Sequence, residues 1–182
     1  MTRSVRRVHG ADGVRAGRRR IGVYAGAAGI AAAAWGVKTW AERDLSSAGR
    51  DDGLLQLRLT YNPGAAFSLG ADHPTLVVVV TGVLCAAIAV AAWWAAAHRP
   101  PLQLAGLAAV LGGAVANLSD RLDDGVVTDY LHSGWWPTFN LPDVAIVVGA
   151  ALLVLAEFRR TPAADARPDT APDRAAPGSE SP

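Results

Sequence analysis

PTLVVVVTGVLCAAIAVAAWWAAA, residues 74–97, contains no Asp, Glu, Lys, Arg or His. Coiled as a helix at about 1.5 Å per residue, it is long enough to cross the roughly 30 Å hydrocarbon core of a membrane. A second uncharged run, residues 100–119, follows after only His98 and Arg99. Two separate charge-free runs of this length are rare in water-soluble folds, which argues against a soluble Ala-rich bundle with buried helices. Residues 21–37 are uncharged but rich in Ala and Gly, and residues 144–156 are apolar but short unless extended back through Asp143 towards Trp135. The expected fold is therefore an all-α membrane protein of four spans.

The basic residues orient these spans. Arg3, Arg6, Arg7, Arg15, Arg18, Arg19 and Arg20 precede the first, His98 and Arg99 join the second to the third, and Arg159 and Arg160 close the fourth. By the positive-inside rule all three regions are cytoplasmic, so both termini are inside and the connections 39–73 and 121–140 face outwards. The Arg-rich start before an apolar run also resembles a secretory signal peptide, but the run exceeds a usual signal core and the expectation is that it stays as span one. The formal net charge of +1 hides this asymmetry and makes no case for nucleic-acid binding. The one cysteine, Cys85, lies mid-span, which rules out an intramolecular disulfide or a cysteine metal cluster.

Organisation follows composition. Residues 1–20 form a basic N-terminal tail, 21–158 the membrane domain, and 159–182, rich in Pro, Ala and charge, a C-terminal tail; both tails read as disordered. LLQLRLTYN, residues 54–62, partly alternates, which predicts a small β-containing segment on the outer surface between spans one and two. Trp93, Trp94, Trp135 and Trp136 stand at span ends as interfacial anchors.

Ionisable groups near hydrocarbon are costly, and here they cluster at one level. GGAVANLSDR (112–121) ends span three, GVVTDYLH (125–132) lies in the outer loop, and FNLPD (139–143) opens span four. Gly113, Asn117 and Arg121 share a helix face, with Asp120 beside them. Asp120 and Arg121 do not face each other, so each is expected to clamp another part of the outer loop. Asn140 is placed to cap span four, with Pro142 in its first turn and Asp143 at the third helical position. Asp129, in a loop tethered by spans three and four, can return to meet Asp143. Two carboxylates in a partly dry site do not both ionise easily, so one can hold a proton while the other acts as a base. Such a pair can activate water and polarise a peptide carbonyl together. His132 has no evident partner and reads as a surface residue.

At these residues the sequence resembles the lipoprotein signal peptidases, the type II signal peptidase family of bacterial inner membranes. NPGAAFSLG (62–70), GGAVANLSDR, GVVTDY and FNLPD fall in the family's order and approximate spacing. The resemblance implies an intramembrane aspartyl endopeptidase, with neither cofactor nor metal, that removes the signal peptide of a prolipoprotein before its diacylglyceryl-modified cysteine. It implies Asp129 and Asp143 as the catalytic pair, and Asn62, Gly64, Asn117, Asp120, Arg121 and Asn140 as residues that line or brace the site. Lipidated precursors and membrane lipid are the implied partners, a monomer is the expected state, and the implied location is the bacterial inner membrane with the site near its outer face. Asp143, at a helix N-terminus, is read as the base and Asp129 as the proton donor. The small residues Gly64, Ala65 and Ala66 are read as a pocket wall.

The sequence departs from the family pattern at three places. The family usually has an Asp-Gln pair four and three residues before a Lys; Lys38 is present, but Ala34 and Trp35 stand in those places. Pro142 replaces the usual Ala before the second Asp, and His132 occupies a position that is often acidic. The competing reading is a small transporter or ion-conducting subunit using the same carboxylates, which requires them in mid-span on a path reaching both sides. A non-catalytic membrane scaffold would explain the spans without the motifs.

Overall fold

A computed structural model describes residues 5–45, 50–51, 55–64 and 72–159. Seven elements follow one another: α1 (Val5–Asp44), β1 (Arg50–Asp51), β2 (Gln56–Asn62), α2 (Pro74–His98), α3 (Pro101–Asp124), β3 (Val127–His132) and α4 (Leu141–Phe158). Each of the four helices has a stretch long and apolar enough to cross a membrane: Gly13–Asp44, Pro74–His98, Pro101–Asp124 and Leu141–Phe158.

The starts and stops follow local chemistry. Prolines open α2, α3 and α4, where the missing N–H removes no helical bond. Gly125, at φ +85°, ends α3 in the left-handed conformation and donates its N–H to Arg121 O at 3.1 Å. One difference from the sequence reading is that α1 begins at Val5, well before residue 21. The basic stretch has no proline, and its six arginines, good helix formers, outnumber its three glycines. Solubility of the stretch therefore does not stop the helix from continuing through it.

The second difference lies in the connection 121–140, expected as a loop. Val127–His132 is a strand, and with β1 and β2 it makes an antiparallel sheet in the order β1-β2-β3. Thr60 pairs with Asp129 and Asn62 with Val127, with an irregularity between Leu57 and Thr60. Leu131 and Phe139 then exchange backbone bonds of 2.8 and 2.9 Å, returning the chain to the start of α4. This sheet caps one end of the bundle, where Leu57, Leu59, Tyr130 and Leu131 pack on Ala41 and Leu45 of the α1 terminus.

α3 is the central helix, packed on α1, α2 and α4. Lipid offers helices no hydrophobic gain from burying apolar faces, so they associate where small residues let backbones approach. Val79, Val83, Val147 and Val154 accordingly point outwards, and glycines line the seams. A Cβ on Gly106 would lie 2.8 Å from Gly149 O, and one on Gly112 2.7 Å from Ala27 O. Gly113 meets Pro142 and Ile146 in the same way. Gly82, in contrast, has open space around it. Gly106→Ala should therefore destabilise the protein by about 1–3 kcal/mol. Gly82→Ala should leave the melting temperature in detergent unchanged or raised, helical Ala being better than Gly by about 1 kcal/mol. Equal melting temperatures for the two variants would contradict this account of the seam.

Candidate active site

The site forms where the sheet meets the ends of α3 and α4. Asn140 caps α4 in a reciprocal arrangement: its Oδ1 accepts from Asp143 N at 2.9 Å, and Asp143 Oδ2 accepts from Asn140 N at 3.2 Å. This leaves the Asn140 amide nitrogen, which donates to Asp129 Oδ1 at 3.1 Å and to Asn117 Oδ1 at 3.0 Å. Asn117 Nδ2 in turn donates to Asp143 Oδ1 at 2.8 Å. Two amides thus bind both carboxylates into one network. On the other side, Asn62 Nδ2 lies 3.5 Å from Asp129 Oδ2, a long contact, while Asn62 Oδ1 accepts from Gly64 N at 3.0 Å.

The two carboxyls sit in different surroundings. Asp129 is 3% exposed, in the middle of β3, whereas Asp143 is half-buried on the first turn of α4. Burial, reinforced by the charge of Asp143, pushes the Asp129 carboxyl up to about 7, against the lowering pull of Asn62 and Arg121. Burial also raises the neighbouring Tyr130 phenol, whose oxygen accepts from Leu141 N at 3.0 Å.

Asp120 and Arg121 clamp separate parts of the loop structure, as adjacency on one helix requires. Arg121 donates to Gly64 O at 2.6 Å and to Asn117 O at 3.2 Å, tying the end of β2 to α3. Asp120 Oδ2 accepts from Thr128 N at 2.8 Å and its other oxygen pairs with Lys38. Lys38 also lies 3.5 Å from Glu42 and from Asp123. Thr128 then donates its hydroxyl to Glu42 at 2.9 Å. Thus α1 and α3 fix the residue before Asp129 through two side chains.

All eight residues picked from the sequence meet here: Asp129, Asp143, Asn62, Gly64, Asn117, Asp120, Arg121 and Asn140 lie in one connected network. Ala65 and Ala66, read as pocket wall, lie outside the described residues. His132 is half-buried rather than a surface residue, since it pairs opposite Gln56 at the end of β3. Glu42 and Thr128 were not singled out. Glu42 follows Lys38 by one helical turn, a spacing that marks a charged face on an otherwise apolar helix. Beside the network, Ala34, Trp35, Lys38, Ala116, Asn140 and Pro142 line a cavity of about 220 Å³. The carboxylates of this network gather at one end of the bundle and none lies in mid-span among the described residues, so the transporter reading, which needs them on a path reaching both sides, is not supported.

Residues 27–159 match the family described as signal peptidase (SPase) II. Proteins named lipoprotein signal peptidase are similar: that of Moorella thermoacetica is 49% identical over 101 residues, covering 55% of this chain and 66% of its own length. That of Pelotomaculum thermopropionicum is 47% identical over 100 residues, 54% of this chain and 65% of its own length. That of an Azoarcus species is 38% identical over 135 residues, 67% and 71%. The chain therefore spans just under two thirds of the length of the first two relatives. A solved bacterial membrane enzyme has the same fold, with a TM-score of 0.66 at 18% identity, over 75% of this chain and 87% of the other.

Breaking the Lys38–Asp120 pair from one side leaves a charge buried without its partner. Lys38→Met should cost about 3–5 kcal/mol, and Lys38→Met with Asp120→Asn distinctly less. Chemical unfolding in detergent of the single and double variants measures the difference; additive losses would contradict a coupled pair.

Proposed function

The chain belongs to the signal peptidase II family, and from that premise we propose that it is an aspartic endopeptidase of the bacterial cytoplasmic membrane that removes signal peptides from diacylglyceryl-modified prolipoproteins. The observation that carries the aspartic reading is the shared hydrogen-bonding of Asp129 and Asp143 through Asn140 and Asn117. Both termini are proposed as cytoplasmic and the site as lying near the outer face, on the distribution of Arg residues.

The chemistry follows from the two environments. Asp143, the more open carboxylate, takes a proton from water as the water oxygen bonds to the scissile carbonyl carbon. Asp129 gives its proton to the carbonyl oxygen. Its Oδ2, which among the described residues meets the long Asn62 contact, is the oxygen suited to carry that proton, while Oδ1 accepts from Asn140. The tetrahedral diol then collapses: the proton on Asp143 passes to the leaving nitrogen, Asp129 recovers its own, and the C–N bond breaks. Neither a covalent intermediate nor a metal takes part in these steps. Because the two groups are coupled, the resting proton belongs to the pair, and the surroundings bias it to Asp129.

Incubating the purified protein with a diacylglyceryl-modified precursor and with its unlipidated counterpart tests activity and specificity together. Cleavage of the first alone is expected. Asp129→Asn and Asp143→Asn should each lower kcat by about 10³-fold or more while leaving the protein inserted and folded. An Asp129→Asn protein that matured precursor at the normal rate would refute the pair.

The pH profile tests the division of roles. A donor held near 7 is protonated below that pH, so cleavage should fall as pH rises through about 7. Asn62 favours the ionised form of Asp129, so Asn62→Ala should move this alkaline limb to higher pH. A limb unchanged in that variant would place the titrating proton elsewhere.

A further inference from the structure

α2 and α4 each pack on α3 but scarcely on each other, while α1 touches all three. At the end away from the sheet, the gap between α2 and α4 holds a groove of about 710 Å³. Ala91 and Ala95 of α2, Leu107 of α3 and Leu153 of α4 give it an apolar wall. Its mouth is polar, since α2 ends there at His98 and Arg99 and α4 brings Glu157, whose Oε2 accepts from Gln103 Nε2 at 3.1 Å. Trp94, 67% exposed, also lines the groove.

The cations at this end are not equivalent. Arg19 Nη1 lies 3.5 Å from Ala96 O, and Arg20 donates through Nε to Trp93 O at 3.3 Å with its guanidinium 4.0 Å from the centre of the Trp93 ring. These two join α1 to the last turns of α2. Arg99 is exposed at the groove, and its side chain has no partner among the described residues. Its backbone N–H closes α2 on Ala95 O at 2.8 Å, which fixes the residue at the mouth.

We propose that this groove seats one phospholipid of net negative charge, its acyl chain against Ala91, Ala95, Leu107 and Leu153 and its phosphate on Arg99. The seat is independent of the peptidase chemistry, which lies at the other end of the helices. A cleft between membrane spans is met by lipid, and an apolar wall leading to an arginine follows the order of a lipid molecule, chain and then phosphate. A guanidinium presents paired N–H donors that match phosphate oxygens. An exposed tryptophan beside it suits the headgroup level. Arg15, Arg18, Arg19 and Arg20 bring further positive charge to this end, which favours an anionic headgroup over a zwitterionic one. Glu157 narrows the choice, because a carboxylate repels a second negative charge but accepts from hydroxyls. A glycerol headgroup, with a single phosphodiester charge and free hydroxyls, satisfies Arg99 and Glu157 together. A lipid held there bridges α2 and α4, which the protein itself scarcely joins.

The test uses the full chain, delipidated in a non-ionic detergent and titrated with phosphatidylglycerol, phosphatidylethanolamine, phosphatidylcholine or inorganic phosphate. Native mass spectrometry reads retention, and the melting temperature reads stabilisation. Phosphatidylglycerol should be held about fivefold more tightly than either zwitterionic lipid and should raise the melting temperature, as any ligand of the folded state does. Arg99→Gln should weaken its retention by about fivefold, and Arg99→Lys should recover most of that loss. Ala91→Trp, at an exposed helix position, fills the groove and should weaken retention of all three lipids. Arg18→Gln removes an exposed charge from the same end outside the groove and should leave retention unchanged. Equal losses in Arg18→Gln and Arg99→Gln would replace the seat by diffuse attraction and overturn the proposal. Equal retention of the three lipids by the wild-type protein, or full retention in Ala91→Trp, would overturn it as well. So would inorganic phosphate stabilising the protein as much as lipid does, which would mark an ion site with no place for a chain.

Discussion

The side-chain amide of Asn140 has to serve two ends at once, and the rest of the site is arranged around that requirement. Its oxygen completes the cap of α4, which leaves its nitrogen as the donor that reaches Asp129 and Asn117. Next to hydrocarbon no bulk water is available to satisfy polar groups, so a network of carboxylates and amides must close on itself or pay several kcal/mol for each unmet group. Asn140 is 1% exposed, and every atom it offers is used. The same residue that starts the helix therefore fixes the spacing of the two acids.

That spacing is only as firm as the helices beneath it. Asn117 and Asp143 face each other because α3 and α4 approach closely, and they approach because Gly113 lies under Pro142 and Ile146 and Gly106 lies against Gly149. In a membrane, where apolar burial gives helices little reason to associate, these glycines stand in for a hydrophobic core. The seam thus links a packing rule to the chemistry at its end. The cost is that the outward faces remain apolar and need lipid around them.

Much of this was legible in the residues themselves. Charge-free runs are a direct consequence of the cost of charge in hydrocarbon, so α2 could be read nearly to the residue and the start of α3 likewise, while the end of α3 runs on through charged residues to Asp124. FNLPD announced the start of α4 because a cap, a proline and an acid in sequence have a single geometric solution. Strand β3 was harder. Val126, Val127 and Thr128 have strand propensity, but so short a segment gains its structure from pairing with β2, some seventy residues earlier in the chain. Nor does any local pattern reveal that Lys38 meets Asp120, since long-range ion pairs leave no periodic trace. Motif order indicated which polar residues would gather; only the fold supplied the side chains, Glu42 and Thr128, that hold them.

The departures from the family pattern around Lys38 can be understood by the same logic. A buried lysine needs a carboxylate more than it needs one in a given place. The family's acid would stand one turn before Lys38; here that place is Ala34, 3% exposed, and the pairing is met by Asp120 from α3 with Glu42 one turn after. Ala34, Trp35 and Pro142 then border the same cavity of about 220 Å³, so a longer side chain at position 34 would extend towards space that is left open. The Trp35 ring lies 5.1 Å from the Lys38 ammonium and adds a favourable aromatic face to it. Charge balance at Lys38 is thus kept by partners from other positions, and what the substitutions alter is the shape of the cavity next to Asn140, not the bonds that hold Asp129 and Asp143 together.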